Sequence, residues 1–228
     1  MSLKLGSTSI GSIYLGNTKV AEAYLGNVKV YSSADPLNPL GLPPFTIRCQ
    51  FSPGYTPSRW MGDSQTLVDA ASNVWDIFKN SPYWNGLFTD EEERPLLSVL
   101  GANTSGVEEM SDMFEDHRSL TTVALFDTSD VTDMSQMFMN CRALTSIPLF
   151  NTSSVDNMEY MFYYCKNVQS GALALYQQAS TQTTPPTNHR STFANCGADT
   201  VTGAAELAQI PTDWGGEYDD GMGVEIDD

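Results

Sequence analysis

Apolar and polar positions along residues 96–167 recur with a period of 24. Met110, Met134 and Met158 match, as do Met113, Met137 and Met161, and Phe114, Phe138 and Phe162. Val107, Val131 and Val155 keep the same step, and so do the polar pairs Thr104-Ser105, Thr128-Ser129 and Thr152-Ser153. The units run 96–119, 120–143 and 144–167, and Phe193 and Cys196 trace a degenerate fourth after a seven-residue excess. Each unit changes its apolar period once. Leu120-x-x-Val123-x-Leu125 and Leu144-x-x-Ile147-x-Leu149 predict a short strand with its leucines in the core. Val131, Met134, Met137, Phe138 and Cys141 then follow helical spacing. Thr or Ser precedes that stripe as a helix cap, and Ser105 with Glu108 reads as a capping box. One strand and one helix cannot bury an apolar face alone. The units are therefore expected to stack into a parallel sheet, with rungs ~4.8 Å apart and helices behind it.

The flanks follow other periods. Residues 1–33 repeat every ten residues through Leu5-Gly6-Ser7, Leu15-Gly16-Asn17 and Leu25-Gly26-Asn27, each followed by alternating residues. Gly-Asn between alternating runs is hairpin-turn chemistry, so this stretch predicts a small all-β module. Such a module is too small to be stable alone, and leans on a partner or another copy. Residues 34–44 hold four of the twelve prolines and predict a stiff, extended connector. Phe45, Ile47, Cys49 and Phe51 alternate as a strand. Leu67, Ala70, Ala71, Val74, Trp75 and Phe78 recur at helical spacing behind Asp63 and Ser64, predicting a helix that ends before Pro82. Residues 45–95 thus read as a mixed α/β cap, residues 96–214 as the repeat body, and residues 215–228 as a solvated acidic tail.

Charge narrows the functional classes. Twenty-eight acidic against 11 basic side chains give a net −17. Phosphate backbones and anionic bilayers both require Lys and Arg, so neither nucleic acid nor membrane is expected as a partner. No apolar run approaches the ~18 residues of a membrane span, and the opening residues lack a signal peptide's continuous apolar stretch.

Candidate chemistry is sparse. His117, Cys141, Cys165 and Cys196 fall in one slot of successive units. Three thiols and an imidazole resemble a zinc set, but one ligand per rung forms a line of roughly 14 Å, whereas zinc holds its ligands within ~2.3 Å. A ladder of small buried side chains is the better reading, so no metal and no cofactor are expected. The chain has two histidines and shows no nucleophile elbow, phosphate loop or His-Glu-x-x-His, which points away from an enzyme. A binding face is named by strand alternation: Thr122, Ala124 and Phe126, then Ser146, Pro148 and Phe150, point away from the core leucines. Phe126 and Phe150 either form an exposed aromatic column or fold over the strand end onto the turn.

The run Phe126-Asp-Thr-Ser-Asp-Val-Thr-Asp-Met-Ser-Gln-Met-Phe-Met-Asn-Cys141 resembles the BspA-like leucine-rich repeats of surface adhesins. The Leu-Gly-Asn-Thr-Lys-Val repeats, Asn73-Val74-Trp75-Asp76 and the ending Ala208 to Gly216 resemble phage and prophage structural proteins of gut bacteria. These resemblances imply an α/β fold: a short leucine-rich-repeat solenoid with a mixed cap and a small N-terminal all-β module. They imply a phage virion component assembled in the host cytoplasm, such as a tail fibre, tail tip or capsid-surface protein. Leu15, Gly16, Asn17, Leu25, Gly26 and Asn27 would belong to the assembly module that contacts other virion proteins. The solenoid would meet a host-surface glycan or protein, and a homo-oligomer stays open. A bacterial surface adhesin is the alternative.

Overall fold

The computed structural model describes the backbone of four N-terminal strands, then residues 36–57, 61–88 and 96–216 in full. The strands β1 (Ile13–Leu15) and β2 (Thr18–Val20) pair antiparallel, as do β3 (Glu22–Leu25) and β4 (Val28–Ser32). Leu15 opposes Thr18 and Leu25 opposes Val28. The first decamer, residues 16–17 and 26–27, and residues 217–228 of the acidic tail lie outside the described residues.

The rest is a mixed α/β body with a five-stranded sheet and, among the described residues, two helices. Its sheet is ordered β6 (Ser64–Asp69), β7 (Val74–Phe78), β5 (Thr46–Phe51), β8 (Leu96–Asn103), β9 (Thr122–Val123). The first four strands run antiparallel to their neighbours, and β8 and β9 run parallel. Strand β5 alternates as its sequence predicts, with Ile47, Cys49 and Phe51 in the core.

Three sequence expectations are corrected here. The helix read across Leu67–Phe78 is the β6–β7 hairpin instead. Asn73 takes a left-handed φ of 51°, and its amide donates to the carbonyls of Ser52 and Tyr55 at 2.7 and 2.8 Å. That fixes the reversal, and Val74, Trp75, Ile77 and Phe78 are β-formers that pair along β5. Leu67, read as part of the helix's apolar stripe, is exposed. Residues 45–88 are therefore sheet and turns throughout their described part.

The proline-rich connector is not extended. Asn38 and Leu42 exchange two hydrogen bonds of 3.0 and 2.9 Å, Gly41 turns at a φ of 61°, and Asn103 donates to the Leu42 carbonyl at 2.7 Å. Leu42 is buried, so the turn is fastened to β8.

The third correction concerns the repeats. Their apolar stripes do not form helices; they run as consecutive tight turns. Met134, Gln136, Phe138 and Asn140 donate their N–H groups to the carbonyls of Asn157, Glu159, Met161 and Tyr163 in the next unit, at 2.7–2.9 Å. Met110, Asp112, Phe114 and Asp116 do the same to Asp133, Ser135, Met137 and Met139. The intervening Met137, Met139 and Cys141 donate three residues back, to Met134, Gln136 and Phe138. An α-helix needs each N–H for its own fourth preceding carbonyl. Here every second one crosses to a neighbour. The residues that close the turns, Gln136 and Asn140, Asp112 and Asp116, Tyr160 and Tyr164, carry φ of 56–60°. Thr104 and Thr128, expected as caps, donate their hydroxyls to the carbonyls of Asp127 and Asn151 one unit on. Ser105 bonds Asn103 rather than closing a box with Glu108.

Stacking places like residues in columns. Phe88, Phe114, Phe138, Phe162 and Phe193 form one stack, with ring centroids 5.2–5.9 Å apart and planes within 15°. Met134, Met137, Phe138, Leu144 and Ile147 are buried as the period predicts. The seven-residue excess is taken up by α1 (Ala172–Thr181), after which Asn188, Arg190, Thr192 and Ala194 receive the bonds of the preceding unit. A second helix, α2 (Val201–Leu207), follows Thr200, whose hydroxyl accepts from the Gly203 N–H. The stack also begins earlier than residue 96. Trp84 and Gly86 donate to the carbonyls of Glu109 and Ser111, which adds a turn whose Trp84-x-x-Leu87-Phe88 echoes Met110-x-x-Met113-Phe114. That turn stands 26 residues before its successor, outside the 24-residue period of the later units.

Candidate contact surface

The strand side of the stack is the face on which the sequence places its binding residues. Thr121 and Thr145 donate their N–H groups to the carbonyls of Leu97 and Thr121, and Gln169 donates to Thr145, so the rungs stay in register. The hydroxyls repeat this. Those of Thr121 and Thr145 reach the same carbonyls at 2.9 and 3.2 Å, and Thr122 donates to the Ser98 hydroxyl at 3.0 Å. Thr122 and Ser146 are exposed, and Ala124 and Pro148 half-buried, as strand alternation predicts.

Phe126 and Phe150 depart from that prediction. Both are buried, 5.2 Å apart between centroids, and Phe150 stacks 5.9 Å from Phe138. The rings fold inward at the turn, and the exposed aromatic column is withdrawn. In their place the leucines taken for core face outward: Leu125 is 39% and Leu149 51% exposed. Phe150 donates back to the Pro148 carbonyl at 2.9 Å. Proline is not the cause of the inversion, because the preceding unit shows it too with Ala124 in the place of Pro148, donating its N–H to the Val99 carbonyl; β9 ends at Val123, and alternation ends with it.

A leucine-bearing strip results. Continuing the Val99–Val123 register places Gly101 beside Leu125. A Cβ on Gly101 would stand 2.9 Å from Leu40 Cδ1, so Leu40, itself exposed, lies over that glycine. One unit after Leu149, Leu173 is partly buried at the start of α1. The strip therefore runs from the Leu40 turn across Leu125 and Leu149 to α1, with the Thr122 and Ser146 hydroxyls on its flank.

The thiol and imidazole slot holds no comparable chemistry. Cys141 and Cys165 are buried and donate their thiols to the carbonyls of Phe114 and Phe138, at 3.1 and 3.0 Å. Burial pushes the Cys165 and Cys196 thiols far above their ordinary range, which keeps them protonated. His117 is buried edge-on to Phe88 and Phe114, its Nδ1 3.0 Å from the Glu115 carbonyl. Among the described residues no three His, Cys, Asp or Glu side chains are grouped to hold a metal, and no helix is long and apolar enough to cross a membrane. Of the assembly residues, Leu15 and Leu25 end β1 and β3, while Gly16, Asn17, Gly26 and Asn27 lie outside the described residues.

The sequence model of a family described as "Mycoplasma protein of unknown function, DUF285" matches residues 84–199, just over half of the chain. The match begins at Trp84, the first stacked turn, and ends beyond Cys196. No curated protein and no solved structure matches the chain.

Proposed function

We propose that this chain, which belongs to the DUF285 family, is a non-enzymatic contact protein built on a short leucine-rich-repeat solenoid of the BspA-like kind. The solenoid reading is supported by the rung-to-rung hydrogen bonds at a 24-residue step and by the phenylalanine stack. The observation that carries the contact role is the strip of Leu40, Leu125 and Leu149. Three large apolar side chains face solvent on a regular scaffold beside ordered hydroxyls. Apolar side chains grouped on a rigid face mark a surface for another macromolecule. The protein is a bacteriophage virion component, in a tail fibre, tail tip or capsid surface, with residues 1–33 joining it to other virion proteins. The decameric hairpins support that division, since two-stranded units gain stability by joining something larger. A bacterial surface adhesin is the second reading, favoured by the BspA-like repeat pattern itself.

A variant carrying Leu125→Asp and Leu149→Asp tests the contact role, because neither side chain belongs to the core. It should melt as the parent does and lose binding to host cells or to its virion neighbour by at least tenfold. Unchanged binding would move the contact elsewhere. A mass-spectrometric protein list of purified particles separates virion component from adhesin.

A further inference from the structure

Strand β6 is the outer strand of the five-stranded sheet, and among the described residues only β7 pairs with it. Leu67 and Val68 are 46% and 45% exposed there. Proteins usually guard such an edge with charges, above all Lys, with Pro, with a bulge or with a covering element. Ser64–Asp69 has neither Lys nor Pro; its one irregularity is a bulge between Leu67 and Asp69. Its charges are acidic, with Asp63 before it and Asp69 at its end. Hydrogen bonds from Ser72 and Ala71 hold the Asp69 carboxyl below its ordinary range, so it stays ionised.

Opposite chemistry stands at the other end of the chain. Residues 1–33 carry Lys4, Lys19 and Lys29 against Glu22 alone, in a chain of net −17. Each lysine of the hairpins sits mid-strand beside valine: Thr-Lys-Val in β2 and Val-Lys-Val-Tyr-Ser in β4. Two-stranded hairpins are marginal alone and gain a third strand by edge pairing.

We propose that β4 of one copy pairs with the outer edge of β6 of a second copy, the lysine-bearing strand meeting the acid-flanked one. This rests on the reading of residues 1–33 as an assembly element and names its partner. A second copy is favoured over the same chain as donor, because the turn of residues 36–42 is held at β8 through Leu42, whereas the outer side of β6 lies four strand spacings, ~19 Å, from β8. Donor and acceptor patches differ, so the contact either closes reciprocally, each β4 pairing with the other copy's β6, or propagates head-to-tail into rings or filaments.

Two full-length single variants, Lys29→Cys and Thr66→Cys, are mixed under oxidising conditions; the four native cysteines are buried. A disulfide-linked pair in the mixture, which neither variant gives alone, is the expected result. Sedimentation velocity of the parent should show concentration-dependent association that weakens with salt. Leu67→Lys with Val68→Lys should reduce that association at least tenfold at an unchanged melting temperature. A chain monomeric at every concentration, or association indifferent to the two lysines, would overturn the proposal. A link formed within single chains of the Lys29→Cys, Thr66→Cys double variant would overturn it in favour of self-docking. The broader assembly reading is judged separately, by whether a chain starting at Pro36 still enters particles.

Discussion

The stacked turns of residues 84–198 and the antiparallel strands of residues 46–103 satisfy their backbones in opposite ways. In the stack each unit bonds to the next at a step of 24, lengthened to 26 at the first turn and to 31 where α1 intervenes. Pairing partners are then set by counting. In the sheet β5 pairs with β7 across separations of 24 to 32 residues and with β8 across 45 to 57, and bulges in the second pairing shift the register. The stack's energetics are those of neighbouring rungs, while the sheet's depend on contacts between distant segments. A repeated structure should thus tolerate loss of a whole unit and fail on loss of a single residue; the sheet offers no such exchange.

Deletion is the sharpest way to break that comparison. Removing residues 120–143 joins Ser119 to Leu144 and leaves Thr145 to take the place of Thr121, so a shorter stack should fold. Removing Ser135 alone displaces every later N–H relative to its carbonyl and moves Phe138 out of the phenylalanine column. The first variant should keep a cooperative melt and the second should lose protease resistance from residue 134 onward. Limited proteolysis with mass spectrometry distinguishes them. Equal behaviour would mean that the rungs are not interchangeable.

Side-chain truncation comes next in size. Phe138 is buried between Phe114 and Phe162, and replacing it by Ala should destabilise by about 3–5 kcal/mol. Leu149→Ala, from the same unit but at the exposed strip, should change stability by less than ~0.5 kcal/mol. Urea denaturation with a shared m-value measures both. A large cost at Leu149 would place it in the core after all, as the sequence alternation first suggests.

These contrasts explain what was legible in the sequence. The 24-residue columns identify the buried Met, Phe and Val positions because each repeat samples the same environment. They cannot reveal backbone conformation: Met134, Met137, Phe138 and Cys141 have helical spacing, yet tight turns closed at Gln136 and Asn140 also bring them to one side. The choice was made by bonds to another unit, which single-unit periodicity does not contain. Leu67 to Phe78 misled for a related reason, since the short span holding Asn73's turn fits a helical template equally well. The contact strip was half legible. Thr122 and Ser146 follow from alternation, whereas Leu125 and Leu149 do not, because β9 ends at Val123 and alternation ends with it.

In the sheet, Arg48 and Asp76 form a bidentate pair across β5 and β7, at 2.6 and 2.8 Å, on the half-exposed face. Solvent screens it. Arg48→Met keeps most of the stem's packing and should cost no more than ~1 kcal/mol, falling towards zero in molar salt. A larger, salt-independent loss would show that the sheet depends on this pair as the stack depends on its phenylalanines.

The smallest effect is one of sign. Asp112 closes a turn in the stack, and burial, with help from nearby Asp133 and Glu109, raises its carboxyl above the ordinary value. The folded protein therefore holds that proton more tightly than the unfolded chain. The stability this confers is complete below the unfolded value, and is lost as pH rises through the raised one. Asp69, at the exposed end of β6, is lowered instead by Ser72 and Ala71. Its contribution is present above the unfolded value and is lost as pH falls through the lowered one. Asp112→Asn keeps an oxygen for the Gln136 amide and should stabilise the protein at pH 7, with the gain vanishing in acid. Asp69→Asn should destabilise slightly at pH 7 and be neutral in acid. Urea midpoints at pH 7 and near pH 3 for the two variants check this. The same sign at both positions would mean that burial in the stack is shallower than the rung-to-rung bonding around Asp112 implies.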